Sequence, residues 1–224
     1  IKQFKEGKDA DEPADADASL SREANRILAG IQLSNRVVHE IANSKEDYLG
    51  MGSTVSILFF NEQTLIAANV GDSPIYLVHR NKIELLSVPH TVLAEHEAID
   101  PEGADQLGNE FRHMLTRAMG TEKTVKANVC EIPYFMDDVL VISSDGLSDL
   151  VTPEEILEVV SRDRPEITCQ SLVDLANARG GLDNITVIVL RINKARSNNS
   201  KIKRLMTRMV EVFHSLTSKQ KSEG

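Results

Sequence analysis

Apolar positions along the chain recur first at helical spacing and then in short runs typical of strands. In residues 19–44 they fall on one face of a long amphipathic helix, with Ser19 or Ser21 as its expected cap. The helical pattern ends at Gly50-Met51-Gly52. The short apolar runs that follow are joined by brief polar turns and predict strands over Ser53–Phe60, Thr64–Val70, Ile75–Arg80 and Lys82–Ser87.

The second half of the chain alternates further strands with helices. Residues 88–110 are polar and contain Pro89 and Pro101, which predicts a mobile surface segment with one helical turn. Thr152-Pro153-Glu154-Glu155 is typical of a helix start, because it places Thr at the cap and Pro in the first turn. The predicted elements are strands over Val125–Glu131, Asp138–Ser144 and Asn184–Ile192, and helices over Thr152–Arg162 and Thr168–Arg179. The last strand is almost continuous in Ile, Val and Leu, so we expect it to be buried on both faces.

This order of elements predicts an α+β domain. Closely spaced strands with short loops favour antiparallel pairing, because a parallel crossover needs a dozen or more residues. Helices before and after the strands are expected to cover the sheet core. We assign the domain to residues 19–192, preceded by a flexible acidic segment over 1–18 and followed by a basic amphipathic helix over 193–224.

The composition excludes several classes of protein. The 224 residues include 25 basic and 34 acidic side chains, which gives a net charge of −9. No apolar run approaches the roughly 20 residues that span a membrane, and the acidic balance argues against a general nucleic-acid binder. Cys130 and Cys169 are too few for a zinc ribbon or a disulfide framework. With no signal-peptide pattern, we expect a cytoplasmic protein with two free, buried thiols.

The two ends of the chain carry separate expectations. Residues 193–224 contain eight basic and two acidic side chains, with apolar residues at helical spacing. Such a helix packs on its own domain or a twin subunit, binds a partner protein or an anionic membrane surface, or leads to further residues. The chain begins with Ile1 rather than Met, so we expect residues upstream of it to be absent from this sequence.

Aspartates at the ends of predicted strands are the candidates for chemistry. P-loop, HExxH and GxSxG motifs are absent from the sequence. Asp72, Asp145 and Asp183 each lie near a glycine, where an apolar strand meets a turn. Carboxylates on rigid elements suit Mg²⁺ or Mn²⁺, but Asp beside Gly is also a common turn former, and the residues alone leave both interpretations open.

Histidines are the other candidates for proton transfer. His90, His96 and His113 lie singly and without the spacing of a metal site. A lone His is either a proton donor or, more often, a solvated or packed side chain.

Five short motifs follow one another along the chain. They are Met51-Gly52-Ser53-Thr54, Ala68-Asn69-Val70-Gly71-Asp72-Ser73, Leu115-Thr116-Arg117-Ala118-Met119-Gly120, Val141-Ile142-Ser143-Ser144-Asp145-Gly146-Leu147-Ser148-Asp149 and Asp183-Asn184-Ile185-Thr186-Val187-Ile188-Val189. In sequence and in order these motifs resemble those of the metal-dependent serine/threonine protein phosphatase family, the protein phosphatase 2C type. The resemblance covers about residues 19–192.

The resemblance implies a four-layer sandwich of two antiparallel sheets flanked by helices, with a site for two or three Mn²⁺ or Mg²⁺ ions. It makes Asp145 and Asp183 metal ligands, assigns Asp72 to a third and weaker metal, and places Asp149 nearby. It implies hydrolysis of phosphoserine or phosphothreonine in phosphoproteins, the targets of kinases, by a metal-activated water. Residues 88–110 correspond to the family's flap, which we expect to shape the choice of substrate.

The chain also departs from the family pattern. Neither the strand with the phosphate-binding Arg nor the D-G-x-G-G motif with the bridging aspartate is found in it. Pro74 stands where the family often has Arg, and Pro89-His90 where it often has Asp-His. Two interpretations follow: the upstream segments are missing from this sequence, or the protein is a catalytically incomplete pseudophosphatase that acts as a binding or regulatory module.

Overall fold

The computed structural model describes residues 16–62, 64–101, 103, 108, 111 and 114–194. Its helices are α1 (Arg22–Ala42), α2 (Val92–Glu97), α3 (Asp145–Ser148), α4 (Pro153–Arg162) and α5 (Pro165–Ala178), with a 3₁₀ helix over Glu46–Tyr48. Its strands are β1 (Val55–Phe60), β2 (Thr64–Val70), β3 (Ile75–His79), β4 (Lys82–Leu85), β5 (Asn128–Pro133), β6 (Val139–Ser143) and β7 (Val187–Arg191).

The strands form two antiparallel sheets, ordered β1-β2-β5 and β4-β3-β6-β7. Val55 of β1 pairs with Val70 of β2, and Ile75 of β3 pairs with Ile142 of β6. These pairs set the ends of β2, β3 and β6 beside the turns that carry the predicted site residues. The α+β class and the antiparallel pairing predicted from the sequence are confirmed.

The structure has four layers, because side chains on opposite faces of each sheet pack against the other sheet or against helices. Between the sheets lies a cluster of Leu65, Leu77, Ile132 and Leu140. Ile31 of α1 packs on the outer face of β2, while α3, α4 and α5 cover the outer face of the other sheet. The implied sandwich flanked by helices is therefore present, since successive residues of a strand point to opposite faces.

Local capping residues explain where the helices begin. Ser21 accepts a hydrogen bond from the N–H of Ala24 at 3.1 Å and caps α1. Thr152 and Glu155 form the predicted capping box of α4. Helix α5 begins at Pro165, three residues before the predicted start at Thr168, because Pro at the first helical position needs no N–H partner.

The prediction that the last strand is buried on both faces is wrong. Val187 and Val189 pack against the helices. Ile188 and Leu190, on the opposite face, remain 47% and 39% exposed. Strand β7 is the edge of its sheet, and the facing sheet of the described structure has three strands against four, which leaves that face of β7 incompletely covered.

The segment predicted as a surface loop, residues 88–110, is partly buried near its start. His90 and Thr91 are buried, and Thr91 caps α2 by accepting a hydrogen bond from the N–H of Ala94. Val88 before them is 47% exposed, and Glu95 on α2 also faces solvent. The surface description therefore fails for His90 and Thr91.

Several other expectations meet the structure only in part. Cys130 and Cys169 are free thiols as predicted, but both are half-buried. Burial raises the pKa of the Cys130 thiol. The predicted acidic segment and basic C-terminal helix lie outside the described residues, except for 16–18 and 193–194. No helix in the described part of the chain has both the length and the apolarity to cross a membrane.

Candidate functional site

Asp145 opens helix α3 directly after strand β6. Leu147 in the same helix is fully buried and packs with α4 and α5. The Asp145 carboxylate accepts a hydrogen bond through Oδ1 from the N–H of Gly146, at 2.9 Å. Asp145 itself is half-buried. A buried strand and a buried anchor therefore fix this carboxylate while leaving it accessible.

Asp72 lies in the tight turn between β2 and β3. Gly71 before it has a φ of +97°, and a β-carbon there would lie 2.4 Å from Cγ2 of Thr54. The Thr54 hydroxyl lies 2.8 Å from Oγ of Ser73, and Ser56 Oγ donates to the Ser73 carbonyl at 2.6 Å. Only glycine allows this backbone conformation and this close approach together. The turn therefore packs tightly against Thr54 and β1.

Asp183 lies on the loop between α5 and β7 and is exposed. Its Oδ1 accepts a hydrogen bond from the N–H of Asn184 at 2.6 Å. The Ser144 hydroxyl donates to the Asn184 carbonyl and accepts from the N–H of Thr186, both at 3.0 Å. A β-carbon on Gly146 would stand 2.6 Å from the same Asn184 carbonyl oxygen. The Asp183 loop thus packs directly against the start of α3.

A single cavity of about 320 Å³ brings together Asp72, Asp145 and Asp149. The rest of its wall is formed by Pro74, Tyr76, Leu85, Pro89, Thr91, Leu93 and Ser148. Asp183 does not line this cavity but lies on the loop that borders Gly146. In the described residues, no three His, Cys, Asp or Glu side chains form a group that could hold a metal ion as it stands.

Tyr76 gives the cavity wall a neutral phenol. Its side chain is almost fully buried in the layer between β3 and the helices. Burial raises the pKa of the phenol, and the nearby Glu154 carboxylate raises it further. The acidic character of the cavity therefore comes from its carboxylates.

The histidines considered as proton donors take different positions. His90 is buried and packed: its Nδ1 accepts a hydrogen bond from the N–H of Gly71, and its Nε2 lies 2.8 Å from Oδ1 of Asn128. Burial lowers the pKa of His90. The Nδ1 atom of His96 is buried without a hydrogen-bond partner. His113 lies outside the described residues.

Other residues of the motifs connect the segment before β1 to the segment around Gly120 and to α1. Ser53 and Met119 form an isolated antiparallel bridge. Gly120 has a φ of +89° and donates its N–H to Oδ1 of Asn35 in α1 at 2.8 Å. A β-carbon at Gly120 would lie 2.4 Å from Val38. These segments therefore tie the site's turns to α1.

Thr54, Arg117 and Asn128 are supporting residues for which no individual role is predicted from the sequence. Thr54 and Arg117 each lie in one of the motif segments, and this position is the sequence signal that could have identified them. Asn128 lies outside every motif, and its role depends on contacts made across the fold.

Comparison with known proteins places this architecture in a family. The sequence profile of Protein phosphatase 2C matches residues 8–185. A protein phosphatase 2C-type relative from Streptococcus pyogenes is 32% identical over 176 residues, which are 76% of this chain and 70% of the relative.

Solved structures agree with that match. The S. agalactiae serine/threonine phosphatase superposes with a TM-score of 0.68 at 30% identity, covering 80% of this chain and 75% of that one. Serine/threonine phosphatase Stp1 from Staphylococcus aureus gives a TM-score of 0.71 at 28% identity, covering 81% and 72%. With the profile match and the two stacked sheets, these similarities show that the chain belongs to the protein phosphatase 2C family.

Proposed function

We propose that the protein hydrolyses phosphoserine or phosphothreonine in phosphoproteins with the help of Mn²⁺ or Mg²⁺. The observation that carries this proposal is the convergence of Asp72 and Asp145 on one cavity, although they are far apart in the chain. Asp72, Asp145 and Asp183 are the proposed metal ligands, and Asp149 stands beside them. The relatives named above are phosphatases, which supports the same reaction class.

The donor atoms fit this class of cation. The cavity offers carboxylate oxygens rather than sulfur or imidazole ligands, and oxygen ligands suit Mg²⁺ and Mn²⁺. When bound, such ions lower the pKa of a coordinated water and neutralise charge on the phosphoryl group. Two or three of them need several nearby carboxylates, because the carboxylates offset their mutual repulsion.

The protein's own contribution is to hold the carboxylates in place. Gly146 N–H holds Oδ1 of Asp145, and Asn184 N–H holds Oδ1 of Asp183. In each case the second carboxylate oxygen is left for a cation. The contact of Gly146 with the Asn184 carbonyl keeps the two turns adjacent.

Another part of the cavity lining is suited to contact the substrate. Pro89 and Thr91 precede α2 and Leu93 lies in its first turn, and all three line the same cavity as Asp72 and Asp145. A phosphorylated side chain entering this cavity would meet this part of the lining. We include a phosphoprotein substrate and a cytoplasmic location in the same proposal.

A second candidate function is a binding or regulatory module that lacks catalysis. Two observations favour it: no group of metal-ligating side chains stands ready in the described part of the structure, and Asp183 lies outside the cavity lining. A module of this kind would keep the fold and bind phosphorylated partners without turning them over.

Phosphopeptide turnover by the full-length protein separates the two functions. We expect Mn²⁺-dependent release of phosphate that is lost on chelation and reduced about 100-fold or more in Asp145→Asn. Asp47→Asn, an exposed position outside the cavity, is the control and should retain full activity. An inactive wild-type protein that still binds the phosphopeptide supports the module instead.

A further inference from the structure

His90 is bound twice to the backbone of the residue that precedes Asp72. Its own N–H donates to the Gly71 carbonyl at 3.1 Å, and its ring Nδ1 accepts from the Gly71 N–H at 3.0 Å. The side chain is 1% exposed. A buried N–H without an acceptor destabilises the folded state, and the ring supplies the acceptor for this one.

The hydrogen bonds define which ring nitrogen carries the proton. Because Nδ1 accepts, the proton of the neutral ring lies on Nε2, which donates to Oδ1 of Asn128 at 2.8 Å. The same Asn128 oxygen accepts from Nη1 of Arg117 at 3.3 Å, and Arg117 also reaches Glu95 on α2. A chain of polar contacts therefore runs from the surface of α2 to the Gly71 turn.

The turn itself has little room to adjust. Gly71 adopts a φ of +97°, and its α-carbon lies so close to Thr54 that no side chain fits. Asn69 donates to the Gly71 carbonyl from the preceding strand at 3.1 Å. The groups that hold Gly71 therefore fix the backbone on one side of Asp72, as the contacts of Thr54 and Ser56 with Ser73 fix it on the other.

We propose that His90 is a positioning residue, which sets Asp72 for cation binding by holding the N–H of Gly71. This inference rests on the proposed function, because it gives Asp72 the role of a metal ligand. His90 does not line the cavity and acts through Gly71 alone. Supporting contacts of this kind are typically worth 10- to 100-fold in metal affinity.

Two substitutions of His90 separate its hydrogen bond to Gly71 from its hydrogen bond to Asn128. In His90→Asn the amide oxygen takes the position of Nδ1, so the acceptor for Gly71 is kept and the contact to Asn128 is lost. In His90→Gln the amide reaches the position of Nε2, so the contact to Asn128 is kept and the acceptor for Gly71 is lost. The two variants have similar polarity, and each removes one of the two hydrogen bonds described above, to Gly71 or to Asn128.

The test measures Mn²⁺ binding by calorimetry and hydrogen exchange of the Gly71 amide in the full-length protein. We expect His90→Gln to weaken Mn²⁺ binding about 10-fold and to speed exchange at Gly71, and His90→Asn to stay within about 3-fold of the wild type on both. Equal losses in the two variants, or wild-type Mn²⁺ affinity in His90→Gln, would overturn the proposal.

A double-substitution cycle shows whether the effect passes through Asp72. Asp72→Asn should weaken Mn²⁺ binding, and adding His90→Gln should then cause no further loss. Multiplied losses would mean that His90 acts elsewhere. If the wild-type protein binds Mn²⁺ but does not turn over the phosphopeptide, the proposed reaction is contradicted. The positioning role of His90 is still tested, because the cycle measures Mn²⁺ affinity. If the wild-type protein binds no Mn²⁺, the positioning role fails with the metal site, while exchange at Gly71 still reports whether His90 holds the turn.

Discussion

The α-carbon of Gly146 lies against the carbonyl oxygen of Asn184, so closely that a β-carbon would stand 2.6 Å from that oxygen. This contact joins the turn that carries Asp145 to the loop that carries Asp183, 38 residues further along the chain. The proximity of two of the proposed ligands therefore depends on the absence of a side chain at one position.

Gly146→Ala should push these two segments apart. The obstacle is a backbone carbonyl rather than a flexible side chain, so we expect a loss of about 1–3 kcal/mol in unfolding free energy together with reduced Mn²⁺ affinity. Gly30→Ala is the control, because a β-carbon there meets nothing within 4 Å. In the middle of α1 it should stabilise the protein by up to about 1 kcal/mol. Urea unfolding compares the two, and equal stability of both variants would contradict the close contact.

Glu155 should make the unfolding free energy depend on pH in the acidic range. Its pKa falls from 4.5 to about 2, chiefly because the Arg179 side chain donates hydrogen bonds to it and also because it accepts from the N–H of Thr152. A pKa lowered by folding means that this stabilisation is complete above about 4.5 and is lost as the pH falls through about 2.

Urea unfolding between pH 5 and 2.5 tests this dependence. The unfolding free energy of Glu155→Gln should change less across this range than that of the wild type. Glu158→Gln removes an exposed pair with Arg162 on the same helix and should keep the wild-type dependence. Identical curves for wild type and Glu155→Gln would show that the contact with Arg179 does not stabilise the folded state.

Leu172 and Leu190 should respond very differently to truncation. Leu172 lies on the inner face of α5 and is fully buried, while Leu190 on β7 is 39% exposed. Leu172→Ala should cost about 2–5 kcal/mol, whereas Leu190→Ala should cost about 1 kcal/mol, since it loses less buried area. The same cost for both, measured by urea unfolding, would mean that β7 is buried on both faces in solution.

Leu93 should affect large substrates more than small ones. It lines the cavity with Asp72 and Asp145, and under the proposed function it contacts the protein around the phosphorylated residue. We expect Leu93→Ala to reduce kcat/KM for a phosphoprotein about 10-fold and to leave a small aryl phosphate unaffected. Ile99→Ala, at an 86% exposed position of the same segment, is the control. Equal losses on both substrates would exclude a role in substrate choice.

Local signals allowed much of the fold to be predicted. The capping box at Thr152 and Glu155 was visible because its hydrogen bonds lie within four residues. Strand β2 was predicted with its observed ends because an apolar run is bounded by polar turns. The start of α5 was missed, although Pro165 is a known signal for a first helical position.

Features that depend on the whole fold were not predictable from one sequence. The apolar run of β7 is the same whether the strand is central or at an edge, so its half-exposed face could not be predicted. His90 lies in a polar segment, and its burial follows from its contacts with Gly71 and Asn128. The aspartates were recognisable at strand ends, but their shared cavity required the packing of the two sheets.

The most direct test of the cation site is a crystal structure of the full-length protein with Mn²⁺, read from anomalous scattering. We predict peaks within about 2.0–2.6 Å of carboxylate oxygens of Asp145, with Asp72 or Asp183 among the other ligands. Peaks that contact none of these three carboxylates, or no peak at saturating Mn²⁺, would contradict the account.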